Sequence, residues 1–288
     1  MLKKIIWLIF ILLLSVAFFL IYQKPASFSK SIFFIPAIIF FIGIILIYFF
    51  KYRDIVSPDA TLIKSSLNID FLGEIPYVKK ESCQNIFELR KKETGLKTAF
   101  TKIKSATPFL NNNNNPVVLG VTSAFPKEGK SFCAANLAIA FAEEKEDTLL
   151  INANLRKQFL SVFGTKSNKG LSDFCSKESS FDEAISSTDL DHFFFMPQGP
   201  VFPNPQELLK TKNLDNLIEA AKKKFKKIVI SLPPALTCAD ASLIGDKCDG
   251  IILVVSAQKN HLNSLVKVKN ILNRNTKIIG ALLNKTPF

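Results

Sequence analysis

Gly129-Lys130-Ser131 combines three residue types that suit phosphate chemistry, in the order that chemistry needs. A glycine lets the backbone turn so that its N–H groups face an anion, a lysine carries a cation to the β and γ oxygens, and a serine hydroxyl can hold Mg²⁺. The tripeptide follows Val117–Thr122, a β-branched and apolar run that reads as a buried strand. It leads straight into Ser131–Glu143, where Ala134, Leu137, Ala138 and Phe141 recur at helical spacing. A strand, the loop Ser123-Ala-Phe-Pro-Lys-Glu-Gly129-Lys130-Ser131 and a helix together form the context of a P-loop. Ala124 stands where the first glycine of G-x-x-x-x-G-K-S belongs, so the position after a buried strand carries more weight than the pattern. The residues expected to bind ATP are Lys127, Glu128, Gly129, Lys130, Ser131 and Phe132, with Ser131 also the expected Mg²⁺ ligand.

The elements around this loop must hold it at one end of a sheet. Thr148–Ile151, Ile228–Ile230, Ile251–Val255 and Ile278–Leu283 read as further buried strands, and Phe193-Phe194-Phe195 as a core strand. Leu214, Leu217, Ile218 and Ala221 mark a helix, and Leu262–Leu272 marks another. Strands alternating with helices imply an α/β fold whose parallel sheet is covered by helices on both faces. Upstream, residues 81–107 read as one or two helices, and Asn111–Asn115 before Pro116 reads as a low-complexity joint.

The N-terminus has a different character. Ile5–Tyr22 and Ile32–Phe50 are nearly unbroken apolar runs, each near the ~20 residues a helix needs to cross a bilayer. No small-x-small cleavage site follows the first run, and a second run arrives nine residues later, so a transmembrane hairpin is expected rather than a signal peptide. Lys3, Lys4, Lys51 and Arg53 flank the spans, whereas Lys24 and Lys30 lie in the turn, which favours both termini inside. The expected organisation is a hairpin over 1–52 (spans about 5–22 and 32–50), a linker and helical region over 53–115, and a P-loop nucleotide-binding-type domain over 116–288.

Charge and cysteine content narrow the partners. The chain carries 37 Lys and Arg against 24 Asp and Glu, a net charge of +13, which favours anionic partners. Lys222, Lys223, Lys224, Lys226 and Lys227 crowd the end of a predicted helix, where basic residues complement the helix dipole; an anionic membrane or partner contact is the sharper alternative. No aromatic or groove-reading element accompanies them, so nucleic acid is not expected. Five widely spaced Cys and two His form no zinc-ligand spacing, and reduced thiols in a cytosolic domain are expected.

From about residue 68 to 285 the chain resembles the cytoplasmic domain of the bacterial tyrosine autokinases, polysaccharide co-polymerase partners in capsule and exopolysaccharide assembly. The resemblance runs in order through Leu72-Gly-Glu-Ile-Pro76, the Walker A loop Thr122–Ser131 and Ala135-Asn-Leu-Ala138. It continues through Leu149-Leu-Ile-Asn-Ala-Asn-Leu-Arg156 as Walker A′, Gly170-Leu-Ser-Asp173, Gly199-Pro200 and Asn204–Leu209. Ile228-Val-Ile-Ser-Leu-Pro-Pro234 is similar to Walker B, with Asp249-Gly250 and Gly280–Asn284 beyond it. The resemblance implies an ATP and Mg²⁺ site in which Arg156 lies near the nucleotide. It also implies an inner-membrane, multi-pass protein with a cytoplasmic P-loop domain, a homo-oligomer, and partners in polysaccharide export or polymerisation.

Several positions depart from that family. Asn152 and Asn154 replace the acids of Asp-Ala-Asp, and Ser231-Leu232 replace Asp-Thr before the two prolines. An amide or hydroxyl cannot serve as the positioned base that is worth ~10²–10⁴ in rate. All four Tyr precede the P-loop, so the family's C-terminal tyrosine cluster has no counterpart in this sequence. Thr94, Lys97 and Phe100 replace the ring-forming E-x-x-R-x-x-R residues, which counts against ring assembly, and residues 23–31 stand where an extracytoplasmic domain is usual. The expected function is a catalytically impaired, membrane-anchored regulator of capsule or exopolysaccharide biosynthesis that still binds ATP. The alternatives are an active tyrosine kinase or ATPase of that process, and a partition or septum-site positioning ATPase. The last group uses a signature lysine where Phe125 stands.

Overall fold

The computed structural model describes residues 42–43, 60–78, 86–107, 115–156, 163, 169–202, 204–209, 212–257, 262–272 and 277–286. The chain divides into two units, Met1–Ile55 and Val56–Phe288. In the first, Ile42 and Gly43 are helical, and the expected spans otherwise lie outside the described residues. Among the described residues, no helix is long and apolar enough to cross a membrane.

The second unit is an α/β fold built on one sheet. Its strands are β1 Phe71–Pro76, β2 Val117–Ser123, β3 Thr148–Asn152, β4 Ser186–Ser187, β5 Phe193–Met196, β6 Lys227–Ser231, β7 Gly250–Ser256 and β8 Ile278–Thr286. Its helices are α1 Ala60–Leu67, α2 Ile86–Lys92, α3 Thr94–Ser105, α4 Lys130–Ala142, α5 Leu171–Cys175, α6 Pro205–Leu209, α7 Lys212–Lys224, α8 Asp240–Gly245 and α9 Leu262–Leu272. The sheet has eight strands in the order β1-β8-β7-β2-β6-β3-β5-β4. Every pairing is parallel except that of the two-residue β4 with β5.

A strand covered on both faces must be apolar on both, because successive side chains point to opposite sides. β2 is buried throughout. Val118 joins a core layer with residues of α1, α7, α8 and α9, whereas Val117, Leu119 and Val121 join a layer with α2, α3 and α4. The two layers thus lie on opposite faces of the sheet. α4 is buried nearly all round, which its Ala-rich sequence permits. Phe193 and Phe195 of β5 are buried and meet Phe163 at centroid distances of 5.3 and 4.8 Å.

Two expectations need correction. Segment 53–115 is more than a linker with helices, because β1 lies in it and pairs with β8 from Phe71↔Ala281 to Pro76↔Thr286. Leu96, Phe100 and Ile103 of α3 enter the same core layer as α4. The boundary at 116 therefore falls inside one unit; an asparagine-rich stretch within a domain has the same composition as a joint between domains. The second correction concerns the lysine cluster. Lys222, Lys223 and Lys224 do end α7, but Lys227 opens β6. Its side chain is 2% exposed, with Nζ 3.7 Å from Glu146 and 5.6 Å from the Phe141 ring centroid. Burial lowers its pKa, and the Glu146 carboxylate partly opposes that shift.

Candidate functional site

In parallel α/β sheets, ligands bind beyond the carboxyl ends of the strands. β2, β6 and β3 are neighbours, and they end at Ser123, Ser231 and Asn152. The loop after β2 is tied to itself and to the end of β8. Ser123 Oγ donates to the Phe125 carbonyl at 2.8 Å, and the Phe125 N–H donates to Glu128 Oε2 at 2.7 Å. From β8, Asn284 Nδ2 donates to the Glu128 carbonyl at 2.8 Å and Lys285 Nζ to the Lys127 carbonyl at 2.7 Å. Asn284 ended a stretch of resemblance, but its bracing role and that of Lys285 were not legible. Their hydrogen bonds reach backbone carbonyls more than 150 positions away, and no local pattern reports such pairs.

Gly129 sits before α4 with φ +96°, and a Cβ there would lie 2.0 Å from Asn284 Nδ2. The position therefore requires glycine for its conformation and for the close approach of the brace. Ala124, by contrast, is not among the positive-φ residues, and its methyl packs in the core. Loss of the first pattern glycine is thus compatible with the loop's backbone. Lys130 is 8% exposed in the first turn of α4, and Phe132 packs partly against the α2–α4 layer. A helix N-terminus, a left-handed glycine and Lys127, Lys130 and Lys285 around one loop form a cradle that fits phosphate groups.

The opposite side of the site is neutral. Ser231 Oγ donates to Ser131 Oγ at 3.0 Å, so β6 meets the first turn of α4 directly. Asn152, 2% exposed, donates through Nδ2 to Gln198 Oε1 at 2.7 Å. Its Oδ1 accepts the Asn154 N–H at 3.2 Å, and the Ala153 N–H donates to the Ser231 carbonyl at 3.0 Å. Asn152 is thus the register partner of Ser231, whose hydroxyl reaches Ser131. Gln198 was missed; its only sequence signal is a polar residue just after an apolar strand and Pro197. It is followed by Gly199 at φ +77°, where a Cβ would meet Ser172 Oγ and Asp173 Oδ2.

Arg156 is tied to the start of α8. Its Nε donates to Asp240 Oδ2 at 3.1 Å, and no described hydrogen bond or ion pair links it to the loop. Asp240 opens α8 and is 2% exposed; its hydrogen bond and charge raise the arginine pKa further above its ordinary range. Asp240 was also missed. An isolated acid between Ala239 and Ala241, nine positions after Ser231, was the available signal. Mg²⁺ is usually held through one or two carboxylates together with substrate phosphates. The residues here fit a nucleotide's phosphates, but Ser131, Ser231, Asn152 and Asn154 supply no carboxylate to a metal.

No family model matches the chain. The tyrosine-protein kinase YwqD of Bacillus subtilis is 37% identical over 166 residues, a match covering 57% of this chain and 70% of the relative. The chain belongs to the bacterial tyrosine-protein kinase family. The crystal structure of the chimerical protein CapA2B2 superposes with a TM-score of 0.72 at 27% identity, covering 80% of this chain and all of that one. The septum site-determining protein MinD of Pyrococcus horikoshii, solved with Mg-ADP, shares the fold at a TM-score of 0.52 and 24% identity. It covers 58% of this chain and 70% of its own. Among tyrosine-kinase family features, the P-loop is thus present in this chain with its flanking strand and helix. Phe100, which stands in place of an arginine of the ring-forming pattern, is fully buried in the core.

Proposed function

We propose that this chain is a membrane-anchored, ATP-responsive member of the tyrosine-kinase family, impaired in phosphoryl transfer, that regulates capsule or exopolysaccharide biosynthesis. One observation carries the reading: the 3.0 Å contact between Ser231 and Ser131. It sets the Walker B position directly against the expected metal ligand, and a neutral hydroxyl stands where the family has an acid. Phosphoryl transfer depends on metal to neutralise charge and on a residue that orients the nucleophile. With Asn152 and Asn154 also neutral, this chain's own residues bind and orient phosphate through the loop. They offer no carboxylate at these positions to take a proton.

The test is incubation of the purified chain with γ-labelled ATP and Mg²⁺, beside Lys130→Ala. Nucleotide binding without turnover or phosphotyrosine is expected. Turnover that disappears in Lys130→Ala would sink the impairment and favour an active kinase.

The hairpin, the inner-membrane location and a cytoplasmic P-loop domain rest on the two apolar runs and their flanking lysines. Homo-oligomers and polysaccharide export or polymerase machinery are the partners this reading assigns. Single cysteines introduced as Ser27→Cys or Ala60→Cys, in a background without native Cys, test the topology. A membrane-impermeant thiol reagent applied to intact cells should label position 27 only; labelling at position 60 reverses the topology.

A further inference from the structure

We propose that the P-loop of this protein takes ATP as the metal-free anion, with binding that does not require Mg²⁺. The proposal rests on the nucleotide-binding reading above and deepens it. Its starting point is the mismatch between a phosphate cradle that is intact and a metal side that is neutral.

The groups that would contribute to a metal's shell are already engaged with one another. Ser131 Oγ accepts the Ser231 hydroxyl at 3.0 Å. Asn152 spends its amide N–H on Gln198 at 2.7 Å and its carbonyl on the Asn154 N–H at 3.2 Å. The nearby acids whose contacts are described serve protein donors: Glu128 Oε2 accepts the Phe125 N–H, and Asp240 holds Arg156. A small divalent cation dehydrates reluctantly, and neutral hydroxyls repay that cost poorly.

The charge that Mg²⁺ normally supplies has a local substitute. Lys130 stands in the first turn of α4, and Lys127 lies in the loop itself. Lys285 is pinned to the Lys127 carbonyl at 2.7 Å, which fixes a third cation beside the loop from the far end of the chain. The α4 N-terminus adds its partial positive charge. These cations gather at one loop beside a helix N-terminus, so a polyanion can be neutralised without an ion between it and the protein. Binding of free ATP releases no metal and needs no carboxylate.

Calorimetric titration of the full chain in detergent with ATP, once in excess Mg²⁺ and once in EDTA, tests the proposal. The dissociation constants should agree within about threefold. A Kd that rises about tenfold or more in EDTA overturns metal-free binding, yet leaves the reading of binding without turnover standing. Absence of binding in both conditions overturns both. The combined replacement Asn152→Asp, Asn154→Asp and Ser231→Asp should create a metal dependence of about tenfold or more, because each carboxylate returns charge to the metal side. A triple variant that folds, binds ATP and still ignores Mg²⁺ overturns the assignment of these three positions. If the triple variant does not fold, the wild-type titration alone decides.

Discussion

The two sides of the nucleotide site differ in what they are made of. On the loop side, the working groups are backbone N–H dipoles, one left-handed glycine and carbonyls tied down by Asn284 and Lys285. On the strand side, the ends of β3 and β6 and the residues after them present two amides and a hydroxyl, those of Asn152, Asn154 and Ser231. Backbone function survives as long as the fold survives, because it needs only a conformation. Side-chain function rests on a few atoms, whereas the sheet rests on backbone pairing: Asn152 and Ser231 are register partners across β3 and β6. The fold and the chemistry are therefore separable within one site.

The strongest challenge to this comparison is Gly129→Ala. Forcing a Cβ into a left-handed position costs on the order of 1–3 kcal/mol, and the new methyl would displace Asn284. Thermal melting should fall by several degrees, and ATP affinity should drop more than about tenfold. If binding is untouched, the loop is not the seat of recognition. Asn284→Ala should have the next largest effect, about 1 kcal/mol for a lost buried hydrogen bond. It should also weaken ATP severalfold by unpinning the loop, as read by calorimetry beside a melting curve. Ser231→Ala should do least. It removes one hydroxyl contact, about 0.5–1 kcal/mol, and should leave ATP affinity within about twofold of wild type. An affinity loss as large as that of Gly129→Ala would show that the strand side still binds nucleotide.

Much of the fold was legible from pattern. The β2–loop–α4 unit, β3, β6, β7, α9 and the Phe193–Phe195 strand all come from apolar runs whose burial the sequence carries locally. Two limits on such reading can be traced to particular residues. β1 is a short segment whose meaning lies in β8, and Lys227 looks like helix-end charge until β6 and Glu146 are placed around it. In the site, the contiguous Lys127–Phe132 loop follows from a local pattern, and Asn152 and Ser231 enter through the resemblance. Gln198, Asp240 and Lys285 follow from neither, because each acts through one distant partner and belongs to no periodic pattern. The resemblance puts Arg156 near the nucleotide, and its guanidinium is held by Asp240.

The brace from β8 also sets an order in time. Glu128 and Asn284 are 156 positions apart, and Ile75 and Thr286, which close the sheet edge, are 211 apart. During synthesis at ~5–20 residues per second, the glycine-containing turn leaves the ribosome roughly ten to thirty seconds before the strand that clamps it. Through that interval a nascent chain carries the turn without the Asn284 hydrogen bond that holds it. The clamped form of the turn is thereby reserved for chains in which β8 has been made and docked.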